Sequence, residues 1–305
     1  MTVLRVPEAN RADQSSDPLC QRGELCANRT AGVALALSGG FSRGFAHLGV
    51  LEILEQERIP VAAIAGTSIG GLLGAAYADG ISIHELCRLG RGVRIRDFIR
   101  FRKSRPEIAG KDRIGQFVRE CFHSTRVEEL SIPMAIVTTD LATGAPHIFT
   151  RGPLDVAIRA TCAFPGLFEP VEHEGRRLAD GCIVTPVPTL VAARMNASCV
   201  LGVAVSMSGS GASSSSNVVQ VFSRHPQTPS KKKMTLSWTR QADVILEPEV
   251  QQIDWNDFSR VDEARAAGAE AMRLALPYVR ELLARRSPQQ GAGEILAKVG
   301  NRLAS

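Results

Sequence analysis

A serine flanked by glycines stands inside the stretch 61–80, which reads VAAIAGTSIGGLLGAAYADG. The stretch begins as an apolar run, turns at a G-T-S-I-G motif and continues as a small, apolar helical segment. This is the strand, turn and helix context of a nucleophile elbow, with Ser68 at its apex. Side chains at Gly66 and Gly70 would collide with the strand or the helix in so tight a turn. The pattern predicts a hydroxyl that stands clear of the chain at a helix N-terminus, where developing negative charge is stabilised.

A second glycine-containing loop, 38–44, follows the apolar run VALAL at 33–37. Its sequence, SGGFSRG, fits neither the G-x-G-x-x-G dinucleotide fingerprint nor the G-K-[ST] ending of a phosphate-binding loop. Backbone N–H groups at this place can stabilise the oxyanion of an acyl-transfer reaction, each by roughly 2.7–4 kcal/mol in the transition state. We therefore favour an oxyanion loop over an ordinary strand-to-helix turn.

Ser68 needs a base, and the pair Asp180-Gly181 offers one. A carboxylate with the ordinary pKa near 3.9 is a weak base for a hydroxyl. Burial raises that pKa, and a hydrogen bond of roughly 2.6–3.2 Å lets proton removal accompany attack by the serine. The alternative is a turn aspartate, because aspartate before glycine is common in turns.

A histidine triad is the rival arrangement, since α/β-hydrolases order serine, acid and histidine along the chain. His225 follows Asp180, but it lies in a segment rich in serine, proline and lysine with no strand leading to it. We therefore favour a serine–aspartate dyad. The remaining histidines are interpreted as surface or packing residues: His47, His84, His123, His147 and His173.

The segments SGGFSRGFAHLGVLEIL, GTSIGG and LADGCIVTPVP, in this order, resemble the patatin-like phospholipase family. The resemblance extends through AFPGLFEPV and ADVILEPEV, over roughly residues 32–285. It implies hydrolysis of phospholipid and other lipid esters without cofactor or metal, with Ser68 as nucleophile and Asp180 as its partner. It also implies an oxyanion hole at Gly39, Gly40 and the Phe41 N–H, an anchoring basic residue at Arg43, and supporting glycines at Gly44, Gly66, Gly70 and Gly181.

Two residues depart from the family pattern. Phe41 stands where a third consecutive glycine is usual, and Ser42 stands where alanine is usual, which is a minor change. Phe41 keeps its N–H, but a positive φ there would cost about 1–2 kcal/mol or shift the loop. Its ring would also narrow the acyl pocket. Catalysis is the favoured interpretation, while a lipid-binding protein with an impaired oxyanion loop and an acyltransferase both stay open.

The apolar runs predict the elements that position these residues. Two strands, 33–37 and 61–65, are joined by a helix at 45–58, and this βαβ unit predicts parallel strands. The last helix, 259–286, is expected to be rich in alanine and to place five residues on one face, with a kink before Pro277: Ala264, Ala267, Ala271, Leu274 and Tyr278. Further strands are expected at 133–141, 147–150, 199–206 and 243–246, with a helix at 154–162. The fold class is α/β, a three-layer α/β/α arrangement around a mostly parallel sheet, with the site at the carboxyl ends of the first two strands.

Size and composition favour one catalytic domain. The chain has 305 residues, of which 44% are apolar, and a formal net charge of +5, which does not indicate a nucleic-acid protein. The boundaries are a disordered arm at 1–31, the domain at 32–286 with a flexible loop at 207–233, and a tail at 287–305. Seven scattered cysteines without a C-x-x-C pair indicate neither disulfides nor zinc. No secretory signal and no apolar run of about 18 residues is present, so a cytoplasmic protein is expected.

A basic segment at 92–113 reads GVRIRDFIRFRKSRPEIAGKDR. It is either a surface that docks on anionic lipid headgroups, at about 1 kcal/mol per basic residue, or a helix with buried Ile95, Phe98 and Ile99 and solvated arginines. Docking would make the protein a peripheral membrane protein, and both interpretations stay open. No nucleic-acid reading motif accompanies the charge, so a lipid ester is the expected partner, and no oligomeric state is indicated.

Overall fold

A computed structural model describes residues 3–5, 30–93, 113–205 and 241–286. The strands in these ranges form one nine-stranded sheet. In chain order they are β1 (Val3–Arg5), β2 (Thr30–Leu37), β3 (Val61–Thr67), β4 (Met134–Asp140), β5 (Pro146–Phe149), β6 (Val171–His173), β7 (Arg176–Asp180), β8 (Ala197–Val203) and β9 (Val244–Glu247). Their spatial order is β1-β9-β8-β2-β3-β4-β7-β6, with β5 also paired to β4.

The middle of the sheet is parallel. Strands β9, β8, β2, β3 and β4 run in one direction, while β1, β5, β6 and β7 pair in antiparallel fashion. The helices of the described ranges are α1 (Ala46–Gln56), α2 (Ile69–Ala78), α3 (Ile83–Gly92), α4 (Arg113–Cys121), α5 (Leu154–Thr161), α6 (Thr189–Ala193) and α7 (Val261–Arg286). None of these helices is both long and apolar enough to cross a bilayer.

Strand β2 shows why the sheet needs helices on both faces. Its leucines Leu35 and Leu37 belong to the larger core, which also contains residues of α1, α2 and α7. The alternating Ala34 and Ala36 belong to a smaller cluster with Ala192 of α6. Successive side chains of a strand point to opposite faces, so this continuous apolar run is buried on both sides. The predicted three-layer fold around a mostly parallel sheet is confirmed.

The face that the sequence groups together on the last helix is only partly buried. Ala264 and Ala271 are buried, whereas Leu274 and Tyr278 are 47% and 48% exposed. The face that packs into the core contains Val261, Ala264, Gly268, Ala271, Met272, Ala275 and Val279. Small residues occur all round this helix, so the sequence offers little periodic contrast. The helix continues through Pro277 to Arg286.

The domain boundaries expected from the sequence stay predictions. Strand β1 falls within the stretch predicted as an arm and pairs with β9, and β2 begins at Thr30. Residues 6–29, the expected loop at 207–233 and the tail at 287–305 lie outside the described residues. Most of the basic segment, 94–112, lies outside them too, so its two interpretations stay predictions.

Candidate active site

The strand register brings the elbow serine towards Asp180. Thr67, the last residue of β3, pairs with Val137 of β4. The next residue of β4, Thr138, pairs with Asp180 at the end of β7. Ser68 thus follows β3 and Asp180 ends β7, on either side of β4. The Ser68 Oγ donates a hydrogen bond of 2.6 Å to the Asp180 Oδ2. The sheet thus brings into contact two residues that are 112 positions apart in the sequence.

The backbone at Ser68 has a strained, elbow-like conformation. Its φ is 54° and its ψ is −126° at the N-cap of α2. A non-glycine residue in such a region costs on the order of 1–3 kcal/mol and persists only where its surroundings hold it. Here the Ser68 N–H donates to the Thr161 Oγ1 at 2.8 Å, and the Thr161 hydroxyl donates to the Val137 carbonyl at 2.5 Å. Thr161 is a supporting residue that sequence reasoning missed, because nothing in its segment marks it.

Three glycines allow the close approaches around the pair. A Cβ on Gly66 would lie 2.5 Å from the Gly70 carbonyl oxygen, and one on Gly70 would lie 2.4 Å from the Leu37 carbonyl oxygen. A Cβ on Gly181 would lie 2.4 Å from the Val137 carbonyl oxygen. The chain after Asp180 therefore packs closely on β4, and the elbow packs directly on the end of β2.

Asp180 is completely buried, with 0% of its surface exposed. Its Oδ1 accepts the Cys182 N–H at 2.8 Å, and its own N–H donates to the Ala163 carbonyl at 3.0 Å. Burial raises the pKa of Asp180 to about 6, while the hydrogen bonds from Ser68 and Cys182 oppose that rise. A carboxylate with this pKa is a stronger base than an exposed one and is still ionised at pH 7.

A thiol that sequence reasoning missed lies between the carboxylate and the glycine loop. The Cys182 side chain is hydrogen-bonded to Asp180, and the Gly39 N–H points at its sulfur. Burial, together with the charge of Asp180, raises the pKa of Cys182 well above its ordinary value. The thiol is therefore protonated at neutral pH and able to donate its S–H. The one sequence signal for this thiol was its position directly after the Asp-Gly pair.

The glycine loop lies against Ser68. A Cβ on Gly39 would stand 2.1 Å from the Cys182 sulfur and 3.1 Å from the Ser68 Cβ, so a side chain at this position would displace its neighbours. The Ser38 carbonyl is held by the His47 Nε2 at 2.8 Å. Within the described ranges, the N–H groups of Gly40 and Phe41 donate to no other group. Among the described residues, two backbone donors of the loop are therefore open, that is, without an acceptor.

The residue in place of the third glycine has a positive φ. Phe41 has a φ of 51°, which costs a non-glycine residue about 1–2 kcal/mol. Its ring makes edge-to-face contacts with Phe164 and Trp255, at centroid distances of 5.3 and 5.0 Å. The loop therefore keeps a left-handed turn despite the side chain.

Arg43 lies buried beneath the loop. Its Nε donates to the Ile253 carbonyl at 2.6 Å and its Nη2 to the Gln251 carbonyl at 3.4 Å. Burial lowers the pKa of Arg43, against the opposing charge of Asp254. Arg43 therefore ties the loop to the segment that follows β9. Gly44, the next residue, packs against the Ile69 side chain.

The histidines of the described ranges make no contact of this kind with the serine–aspartate pair. None of them is hydrogen-bonded to the side chain of Ser68 or Asp180. His47 is fully buried on α1, and burial lowers its pKa to about 4. Its Nδ1 has no hydrogen-bond partner there. His225 lies outside the described residues, so the triad that would use it stays a prediction.

The fold and the site together define an α/β protein with a buried serine–aspartate pair at the carboxyl edge of its parallel strands. The family model for the patatin-like phospholipases matches residues 35–193. The chain belongs to the patatin-like phospholipase family.

Several curated proteins are similar to the chain. It is 39% identical over 183 residues to an uncharacterized NTE family protein of Mycobacterium tuberculosis, covering 59% of this chain and 50% of that protein. It is 31% identical over 212 residues to lysophospholipase NTE1 of Mycosarcoma maydis, covering 67% and 11%. It is 29% identical over 210 residues to human patatin-like phospholipase domain-containing protein 6, covering 65% and 15%. The chain thus spans half or less of the length of these relatives.

Proposed function

We propose that this protein hydrolyses carboxylic esters of lipids through an acyl-enzyme on Ser68. The observation that carries the proposal is the 2.6 Å hydrogen bond from the Ser68 Oγ to the buried Asp180 carboxylate. A nucleophile and a base within hydrogen-bond reach, with the base itself held by a further group, are the arrangement that covalent catalysis needs. Here the further group is the Cys182 N–H.

In the first half-reaction the Ser68 Oγ attacks the ester carbonyl carbon, and the Ser68 proton moves to Asp180. The carbonyl oxygen becomes an oxyanion. Collapse of this intermediate breaks the bond to the leaving alcohol, which takes the proton back from Asp180. The second half-reaction mirrors the first: a water gives a proton to Asp180 and attacks the acyl carbon. Ser68 then leaves with that proton, and the fatty acid is released.

The oxyanion is assigned to the glycine loop. The N–H groups of Gly40 and Phe41 are its open donors, whereas the Gly39 N–H is aimed at the Cys182 sulfur. The N-terminus of α2, which begins directly after Ser68, adds a favourable dipole. Backbone donors of this kind are fixed before the reaction and need no reorganisation as charge develops. Arg43 serves the same loop by holding it to the segment that follows β9.

Phospholipids and lysophospholipids are the proposed substrate class. The family's name and that of the lysophospholipase relative from Mycosarcoma maydis support this choice. The Phe41 ring next to the loop would restrict the acyl chain close to the reacting carbon. We therefore expect single-chain esters to be hydrolysed faster than two-chain ones.

Covalent labelling tests the acyl-enzyme. A fluorophosphonate probe should label the parent, and Ser68→Ala should abolish the labelling while leaving the melting temperature within a few degrees. Absence of labelling in the folded parent would instead support a lipid-binding protein without catalysis.

Substrate hydrolysis tests the base. A panel of phospholipid, lysophospholipid and short-chain esters is compared for the parent, Asp180→Asn and His225→Ala. Loss of turnover by about 10²-fold or more in Asp180→Asn alone supports the dyad. Loss in His225→Ala would overturn it, and acyl transfer to an added alcohol in excess of hydrolysis would identify an acyltransferase.

A further inference from the structure

Phe41 is surrounded by two aromatic rings from distant parts of the chain. Phe164 follows α5 and is 1% exposed, while Trp255 lies in the segment between β9 and α7. Both meet the Phe41 ring edge-to-face, with interplanar angles of 65° and 67°. Edge-to-face aromatic pairs are attractive beyond the area they bury. The side chain that strains the loop is therefore also the group by which the loop is held.

The segment with Trp255 holds the next two residues of the loop as well. The Trp255 carbonyl accepts the Ser42 N–H at 3.1 Å, and the Asp254 carbonyl accepts the Ser42 Oγ at 2.8 Å. The Ile253 carbonyl accepts the Arg43 Nε. Three successive carbonyls thus face two successive loop residues. Both departures from the family pattern, at 41 and 42, make contacts with this one segment, so Ser42 contributes more than the minor role expected.

The ring on the other side belongs to the segment that holds the dyad. Phe164 comes three residues after Thr161, which accepts the Ser68 N–H, and one residue after Ala163, which accepts the Asp180 N–H. A displacement of the Phe41 ring against Phe164 would therefore move the open donors of the loop relative to both Ser68 and Asp180.

We propose that Phe41, Phe164 and Trp255 form an aromatic clamp that replaces the conformational freedom of a third glycine. The clamp holds the backbone at 41 in its left-handed conformation and so keeps the oxyanion donors aligned with the dyad. Trp255 is a positioning residue in this arrangement, because it acts through Phe41 and the Ser42 N–H. The inference rests on the proposed function and identifies what keeps its oxyanion loop in place.

A mutant cycle tests the clamp against ordinary packing. The variants are Trp255→Ala, Phe41→Gly and their combination in the full chain, measured by hydrolysis of 4-nitrophenyl butyrate. Glycine adopts a positive φ without strain, so the loop of the Phe41→Gly variant does not need the ring of Trp255. We expect Trp255→Ala to lower kcat about tenfold in the parent, with little change in KM, but less than about twofold in the Phe41→Gly background. The fivefold difference corresponds to a coupling of about 1 kcal/mol.

The matched control removes an aromatic ring elsewhere. Phe117 lies on α4 and makes an edge-to-face pair with Phe122, which directly follows that helix. This ring pair does not include a residue of the glycine loop, so Phe117→Ala should leave kcat unchanged in both backgrounds. Equal losses from Trp255→Ala in the two backgrounds, or none in the parent, would overturn the clamp. Where Trp255→Ala does not fold, Trp255→Leu keeps apolar volume without the ring and is read in the same way.

The melting temperatures separate this inference from the proposed function. A folded parent that hydrolyses no ester refutes the proposed function, while the clamp is then judged on stability alone. Trp255→Ala should lower the melting temperature more in the parent than in the Phe41→Gly background. Equal lowering in the two backgrounds would refute the clamp on this measure too.

Discussion

At the scale of single residues, the site depends on one carboxyl group whose environment opposes its charge. Burial raises the pKa of Asp180 to about 6, and the Ser68 hydroxyl, the Cys182 N–H and the Cys182 thiol bring it back only partly. The same burial that makes the group a useful base makes its ionised form costly. Reactivity and instability at Asp180 therefore have one cause.

The pH dependence of catalysis should follow this group. A protonated carboxyl cannot accept the Ser68 proton, so kcat/KM should fall as the pH drops through about 6. Cys182→Ala removes a hydrogen-bond donor to the carboxylate and should move this acid limb to higher pH. Cys87→Ala, at a buried thiol on α3, is the control and should leave the limb in place. The check is kcat/KM from pH 4.5 to 8.5, and an acid limb that Cys182→Ala does not move would contradict the assigned hydrogen bond.

The stability of the protein should also depend on pH through Asp180, and a variant without this carboxyl group should be more stable than the parent above the pKa of Asp180. The folded-state pKa of Asp180 lies above its ordinary value, so the folded state binds this proton more tightly than the unfolded state does. The free energy of unfolding therefore falls as the pH rises from about 4 through about 6. Asp180→Asn does not titrate, so it should be more stable than the parent by about 1–3 kcal/mol at pH 7.5. That gain should vanish at pH 4, as measured by denaturant unfolding at both values, and a gain of equal size at pH 4 would assign it to another cause.

At the scale of elements, a structural feature was predictable from the sequence when it leaves a pattern in the residues of its own segment. The buried strands were predictable because a strand covered on both faces is a continuous apolar run. The motif glycines were predictable because close backbone approach tolerates only glycine. Thr161 and Trp255 were not predictable, because their contacts with the site exist only once distant segments meet. The buried face of α7 was not predictable, because alanine fits buried and exposed positions alike.

The first helix should position the glycine loop through His47. The His47 Nε2 lies 2.8 Å from the Ser38 carbonyl oxygen, and a trans peptide points its N–H away from its C=O. Fixing the Ser38 carbonyl therefore fixes the direction of the Gly39 N–H. His47→Ala should lower stability by about 1–3 kcal/mol through the unsatisfied carbonyl and lower kcat with little change in KM. His84→Ala, at an exposed position of α3, is the control, and equal kinetics in the two variants would exclude this role.

At the scale of the whole molecule, the site is tied to the crossing of the first and last helices. A Cβ on Gly49 of α1 would lie 1.8 Å from the Arg265 carbonyl oxygen. A Cβ on Gly268 of α7 would lie 1.8 Å from the Ala46 carbonyl oxygen. The two backbones therefore touch, and α1 begins directly after the glycine loop. Helix α7 thus packs directly against the start of α1, next to the glycine loop.

Enlarging this contact should disturb both stability and activity. Gly268→Ala forces α7 away from Ala46, and overpacking of this kind costs about 1–3 kcal/mol or more, or several degrees in melting temperature. Because Ala46 follows the loop, kcat should fall as well, although Gly268 has no contact with Ser68 or Asp180. Gly92→Ala at the end of α3 is the matched control, since its Cβ would meet nothing within 4 Å and alanine favours a helix. A Gly268→Ala protein that melts and turns over like the Gly92→Ala protein would show that the helices can separate without moving the loop, and the site would then be independent of this crossing.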